Sequence, residues 1–489
     1  MTRGASWKDH LPFYAPAVAF FCYAAHQVSG MALWEWDESH YVLNAYEMMR
    51  GGDWIALHYA GALDHVSTKP PLAVWLMAVL FKLFGYSELI ARLPSLILGL
   101  GTGALVYHFV ARIGKDRAAA AAAGLGLVTS WGFYGAHGMT SADLDVPVAF
   151  FNTLSFIAIY FACIESKPRW SLALGLSLGL GFMTKSFMGL FPVVFVAPAL
   201  LLNGDRKKLF NRDLLTGAGL FILTVAPWLA ARQLGYDDNF LKLMFGLDFL
   251  QRTQGVVDVH RQPAGFYFQA IPVQLGWWWT AAGIAAAAAG LRAWFVRGDR
   301  SVLKAFALAL FSFAIFVAIF SAAQTKTKWY MFPAYPLFFI AAGLGVSSFM
   351  DFVPRALRYG VLAALLASNL PGLYVYDRGW RATTHTAELD YIIYPMKDWL
   401  WRRKAIIAGK MHNNSFDSVR IYTDLQETLV AEGAPLETML AASPQADFLI
   451  AMDSRRFMKG DVSNTPRLKA IRVVTEGESF PGIFQIIRN

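Results

Sequence analysis

Along most of this chain apolar residues do not alternate with polar ones but run in stretches of about 20, the length an α-helix needs to cross a bilayer. The first runs from Leu11 to Leu33. Others follow near Leu89–Ile113, Ala118–Tyr134, Val146–Ile164, Leu172–Thr184, Phe187–Leu202, Leu214–Ala231, Ile271–Trp294, Val302–Ala322, Tyr330–Met350 and Leu357–Tyr376. That is about eleven spans, and a shorter apolar stretch, Leu72 to Phe84, reads as an interfacial or re-entrant helix, so the pattern predicts about 11–13 membrane helices. Leu11–Leu33 ends without a small-residue cleavage site and reads as a retained helix. In the loop after it, Glu38 to Arg50 has helical spacing, with Tyr41, Ala45 and Met48 on one face and Gly51-Gly52 as a stop. This helix is expected along the membrane surface. After Tyr376 the long apolar runs vanish, and Val419–Tyr422 and Phe448–Met452 alternate as strands do. The predicted fold is a polytopic α-helical membrane protein over residues 1–376, with external loop helices across 34–88, closed by a soluble mixed α/β domain over 377–489.

Composition agrees with this class: of 489 residues 56% are hydrophobic and 16% charged, where soluble domains carry about 25% charge. The net charge of +9 does not point to nucleic acid, because the Lys and Arg residues sit in short loops between spans. Arg3, Lys8, Lys115, Arg117, Lys167, Arg169, Arg206 to Lys208, Arg212, Arg297, Arg300, Arg355 and Arg358 fall on alternate loops, which the positive-inside rule makes cytoplasmic. The remaining loops hold Asp37, Glu38, Lys69, Asp143, Asp145, His260, Lys326 and Lys328, so the chemistry is expected outside, together with the C-terminal domain. Cys22 and Cys163 lie within apolar spans at no metal or disulfide spacing and read as small core residues.

The Asp37-Glu38 pair follows the first span directly, and Lys69 precedes a rigid Pro70-Pro71 one loop later. A carboxylate and a positioned lysine at one membrane face suit chemistry on a lipid phosphate. Each has a plainer reading. Asp37 also serves as a cap for the helix after it; Lys69 as a snorkelling side chain; Asp145 as an N-terminal helix charge. Arg92, at the outer end of a span, is either an interface residue or a guanidinium shaped for phosphate. Lys326, Lys328 and Tyr330 share a tight external loop that breaks the positive-inside trend, which suggests a phosphate ligand.

The runs Trp36-Asp37-Glu38-Ser39-His40-Tyr41, Gly52-Asp53-Trp54, Lys69-Pro70-Pro71-Leu72 and Ala91-Arg92-Leu93-Pro94-Ser95 resemble, in order and spacing, the integral-membrane glycosyltransferases of the C-type (GT-C) fold. The nearest resemblance is to the aminoarabinose lipid A transferases and their protein O-mannosyltransferase relatives. Asp145, in Asp143-Leu144-Asp145-Val146-Pro147, takes the family's Asp-x-Pro position, and Lys326 to Pro333 follows its Lys-x-x-x-Tyr-x-x-Pro pattern. The resemblance implies a bacterial inner-membrane enzyme with a periplasmic active site. It would transfer a sugar from a polyprenyl phosphate donor to an envelope acceptor: lipid A, lipopolysaccharide core, another glycan or a protein.

On this reading Asp37 and Asp145 are catalytic, and Lys69, Arg92, Lys326, Lys328 and Tyr330 bind the donor phosphate; Glu38, Asp143 and His260 are further candidates. The residue before the family's lysine is commonly glutamate and here is Thr68, which weakens a zinc site, so no metal ligand is assigned, although a divalent ion fits Asp64 with His65 or Asp143 with Asp145. A secondary transporter and an inactive envelope-assembly scaffold are the alternatives, the first disfavoured because the charges gather at one rim instead of the bilayer midplane.

Overall fold

In the computed structural model the described residues are 10–34, 37–59, 61–65, 67–203, 212–236, 239–246, 262–285, 288, 300–350 and 353–374, with five later strands. Helix α1 (Leu11–Ser29) leads through a short loop into α2 (Asp37–Gly51). A two-residue ladder of β1 (His58–Tyr59) and β2 (Ala62–Leu63) follows, and then α3 (Leu72–Phe84), whose first turn starts at the Pro70-Pro71 step. Helix α4 (Glu88–Gly114) is capped by Ser87, whose hydroxyl accepts from the Ile90 amide at 3.2 Å. Helix α5 (Arg117–Thr129) is capped by Asp116 in the same way. A four-residue turn, α6 (Trp131–Tyr134), leads to the loop before α7 (Asp145–Ile159).

Among the described residues, six helical runs are long and apolar enough to cross a membrane: Glu88–Gly114, Asp145–Ile164, Trp170–Asn203, Arg212–Gly235, Arg300–Ala322 and Lys328–Met350. That is fewer than the eleven or so expected. The expected span Ala118–Tyr134 is interrupted at Ser130, and part of Ile271–Trp294 lies outside the described residues. The run Trp170–Asn203 is two legs. A straight 34-residue helix would be about 51 Å long, yet both its ends meet one place: the Trp170 ring packs 4.7 Å from Phe161, and Asn203 Nδ2 donates to the Cys163 carbonyl at 2.5 Å. The chain reverses at Lys185-Ser186, after α8 (Trp170–Lys185), and returns through a 3₁₀ segment and α9 (Val196–Asn203). Gly181 and Gly189 face each other across this hairpin with no room for a Cβ on Gly189. The two spans read from the sequence there are therefore separate.

Long-range bonds sort the molecule into two ends. At one, Ser347 Oγ donates to the Gly114 carbonyl at 2.8 Å and Tyr160 lies 3.4 Å from the Ser301 carbonyl, with Arg112, Lys115, Arg117, Lys167, Arg169, Arg212 and Arg300 nearby in sequence. At the other, Trp228 of α10 (Arg212–Gly235) donates to the Ile55 carbonyl at 2.9 Å, and Asn369 reaches the Gly126 carbonyl at 3.1 Å. Small residues let the helices close up: a Cβ on Gly124 would stand 2.6 Å from the Gly103 carbonyl, which joins α5 to α4.

Helix α2 is covered by protein on most of its faces. Nine of its fifteen residues are buried, among them Tyr41, Ala45, Met48 and the polar Glu38, Ser39 and Asn44, because α3 packs over it. Beyond residue 374, strands β3 (Ala405–Ala408), β4 (Leu429–Val430), β5 (Phe448–Ala451), β6 (Leu468–Val473) and β7 (Gly482–Ile486) form one sheet in the order β4-β3-β5-β7-β6. Its β4-β3-β5 half is parallel and its β5-β7-β6 half antiparallel. The strand expected at Phe448–Met452 is β5; Val419–Tyr422 lies outside the described residues.

Candidate active site

At the end opposite the basic loops, the α1–α2 loop, the start of α4 and the 135–144 loop meet on one ion pair. Glu38 and Arg92 are both fully buried, and Arg92 grips the carboxylate in a fork, Nε to Oε1 at 2.7 Å and Nη2 to Oε2 at 2.9 Å. The other guanidinium N–H groups donate to the carbonyls of Val28 (3.1 Å), Met31 (2.8 Å) and Ala32 (2.7 Å). Glu38 accepts in addition from the amides of Trp34 (2.7 Å) and Ala142 (2.8 Å). All five Arg92 donors are thereby used, which corrects the expectation of a phosphate ligand: the guanidinium holds four chain segments in register.

This clamp positions Asp37, the exposed first residue of α2, beside the loop that carries His137 and Asp143. One ligand atom each from Asp37, His137 and Asp143 lie within 4.8 Å of one another. His137 adopts a left-handed backbone, φ 57°, and Gly138 follows it where a Cβ would strike the Phe133 and Gly135 carbonyls. Its Nδ1 lies 3.2 Å from Asp143 Oδ2 and 3.9 Å from Asp145 Oδ2, and its ring stacks on Trp329 at 4.2 Å. Asp143 also accepts a very short hydrogen bond from the Ser141 hydroxyl. Burial alone would lower the imidazole's pKa, but the charge and hydrogen bond of Asp143, with Asp145 and Asp37 behind, push it up to about 9. Burial likewise works to raise Asp143, and His137, Ser141 and Lys185 outweigh it and hold that carboxyl below its usual range.

Asp145 opens α7 and is ion-paired with Lys185 at 2.6 Å. The hairpin turn aims that lysine: Ser186 sits at φ 42°, ψ −125°, a strained setting for a residue with a Cβ. The site is thus a connected cluster of three carboxylates and two basic groups, Asp37, His137, Asp143, Asp145 and Lys185, open to solvent at Asp37.

The other expected residues divide. Lys69 is partly buried at the entrance to α3, which packs on α2. Lys328 is exposed beside Trp329, and Tyr330 is buried against Phe320 at 5.7 Å. Lys326 is buried and gives two donors to the carbonyls of Gln262 (3.1 Å) and Ala323, so it ties its loop to the chain before Phe266 instead of facing a ligand. His260 lies outside the described residues. Asp64, offered above as a metal ligand with His65, is taken up otherwise: it receives His40 (2.7 Å), Asn44 (3.1 Å) and the Ser67 amide (2.9 Å), which pins the 58–67 segment to α2. His137, Lys185 and Trp329 were missed. Lys185 had a signal, a lone cation inside an apolar run; His137 had only its flanking glycines.

Residues 68–230 match the family described as dolichyl-phosphate-mannose-protein mannosyltransferase. An undecaprenyl phosphate-α-4-amino-4-deoxy-L-arabinose arabinosyl transferase of Pseudomonas paraeruginosa is 28% identical over 280 residues, 56% of this chain and 48% of the relative. One from Sodalis glossinidius is 30% identical over 71% of this chain and 60% of its own length. The chain therefore spans about half the length of the first of these and rather more of the second. In structure, ArnT from Cupriavidus metallidurans bound to undecaprenyl phosphate superposes with a TM-score of 0.66 at 17% identity, covering 97% of this chain and 98% of that one. The same protein in its apo state gives 0.69. The chain is a multi-pass membrane protein with the C-type glycosyltransferase fold, similar in sequence to the aminoarabinose transferases and the protein mannosyltransferases.

Proposed function

We propose that the protein transfers a sugar from a polyprenyl phosphate donor to an envelope acceptor, with lipid A first among the candidates, on the periplasmic face of the bacterial inner membrane. The observation that carries this reading is the convergence of Asp37, Asp143 and Asp145 with His137 and Lys185 at the end of the bundle opposite the basic loops. Similarity to transferases named for undecaprenyl phosphate donors supports it. The exposed carboxylate of Asp37 is the base that takes the acceptor's proton; for an acceptor that is already a phosphate it orients the nucleophile. Asp145, held by Lys185, supports the same centre. Lys69, Lys328 and Tyr330 receive the donor phosphate, whose charge grows as the glycosidic bond breaks.

The test is transfer of label from a panel of polyprenyl phosphate sugars into envelope extract by the purified protein and its Asp37→Asn variant. Transfer by the wild type, lowered at least about 100-fold in the variant, is expected. Equal transfer by both removes Asp37 from the mechanism, and no transfer from any donor overturns the proposed reaction.

A further inference from the structure

We infer that the outer end of α10 is a positioning element of the donor site: Tyr236 and Trp228 hold the Asp53–Ile55 segment, and through it they set where Lys69 stands at the entrance to α3. The Gly52-Asp53-Trp54 run supplies the joint. Asp53 spends both carboxylate oxygens inside the protein: Oδ1 accepts from the amides of Ile55 (2.9 Å) and Ala56 (3.1 Å), which fixes a turn, and Oδ2 accepts from the Tyr236 hydroxyl at 2.6 Å across 183 positions of chain. His58 Nδ1 stands 3.6 Å from the same Oδ2. The carbonyls beside Asp53 are taken as well. Trp228 Nε1 donates to that of Ile55 at 2.9 Å, and Trp75 Nε1, on the first turn of α3, donates to that of Trp54 at 2.7 Å. Between Trp75 and Lys69 lies the rigid Pro70-Pro71 step, so the lysine follows the indole.

The same end of α10 also meets the hairpin that carries Lys185. Trp228, Phe240 and Met244 share one buried apolar cluster with Phe182 and Met183, the α8 residues just before Lys185, and Leu72 and Trp75 of α3 pack against it. Past the hairpin turn, Phe187 meets Phe245 at 5.0 Å. The Arg232 guanidinium lies over the rings of Tyr236 (4.8 Å) and Phe240 (4.6 Å), which ties the Tyr236 bond to this cluster. Lys69 and Lys185 therefore stand at two elements, the entrance of α3 and the α8 hairpin, that share one abutment.

Close-packed interiors transmit a displacement, because their side chains have no slack to absorb it. A shift at Tyr236 thus reaches Trp54, Trp75 and Lys69 in turn. On the function proposed above, Lys69 receives the donor phosphate, so α10 acts on donor binding and leaves the carboxylate chemistry at Asp37 alone. Only this consequence for donor binding rests on that reading; the mechanical coupling does not.

The test compares the full-length wild type in detergent with Tyr236→Phe, which removes the hydroxyl and keeps the ring under Arg232, and with Trp75→Phe, which removes the indole N–H. Amide hydrogen exchange is read over residues 67–77, and sugar transfer is measured while the concentration of the polyprenyl phosphate sugar is varied. Each variant is expected to exchange faster over 67–77 and to raise KM for the donor at least about fivefold, with kcat within about twofold of the wild type. The double variant is expected to raise KM by less than the product of the two single effects, because both changes cut one line of contact. Unchanged exchange over 67–77, an unchanged KM, effects that multiply in the double variant, or a loss confined to kcat each overturns the inference while leaving the proposed function intact. Faster exchange in both variants, with no transfer by the wild type from any donor, keeps the coupling and overturns the proposed function.

Discussion

Glu38 and Arg92 carry more of the site's architecture than the residues that face the substrate side. Both are fully buried, and between them they accept or donate seven bonds from five segments of chain. Removing one partner strands the other's charge, so Glu38→Ala is expected to cost about 3–5 kcal/mol, read as a lowered thermal midpoint in detergent. Arg92→Lys cannot reproduce the fork and is expected to lower the midpoint too. A variant that kept its midpoint and only weakened donor binding would restore Arg92 as a phosphate ligand.

Asp64 yields a pH prediction at the same scale. Burial opposes its ionisation, but His40, the Ser67 amide and Asn44 outweigh it and hold the carboxyl below its ordinary 3.8. A depressed carboxyl stabilises the fold above the unfolded value, and the contribution fades as pH falls through the folded one. Asp64→Asn should therefore melt below the wild type at pH 5, and the gap should close as the medium is taken below pH 3.8. A gap that widened in acid would contradict this assignment.

Among the elements, the hairpin at Lys185-Ser186 decides most. Its legs touch through Gly181 and Gly189, and its turn sets Lys185 against Asp145. Gly189→Val should therefore spread the legs, lower the midpoint and withdraw Lys185 together. Ser186→Gly should be neutral or raise the midpoint by up to the equivalent of about 1 kcal/mol, since glycine accepts φ 42° without a Cβ clash. A loss in that variant would mean the serine side chain matters more than the backbone setting.

For the whole molecule, the basic loops and the acidic cluster lie at opposite ends, and that opposition gives the orientation its test. In a Cys22→Ser, Cys163→Ala background, a cysteine placed at exposed Lys328 should react with a membrane-impermeant maleimide once the outer membrane is opened. One at exposed Lys115 should react only after lysis. The opposite pattern would put the cluster in the cytoplasm.

The sequence by itself determined the membrane class, most of the helix positions, and that Asp37, Asp143 and Asp145 share one end of the bundle. Run length and charge asymmetry are local signals, and the bilayer reads them locally. Only the tertiary structure decided the partners. Glu38 and Arg92 stand 54 positions apart, and Asp145 and Lys185 stand 40. Whether a charge such as Arg92 or Lys326 is spent on the protein's own carbonyls or left for a ligand depends on which loops fold over it. No periodicity records that choice, and His137, fixed by a turn of its own glycines, entered the site for the same reason.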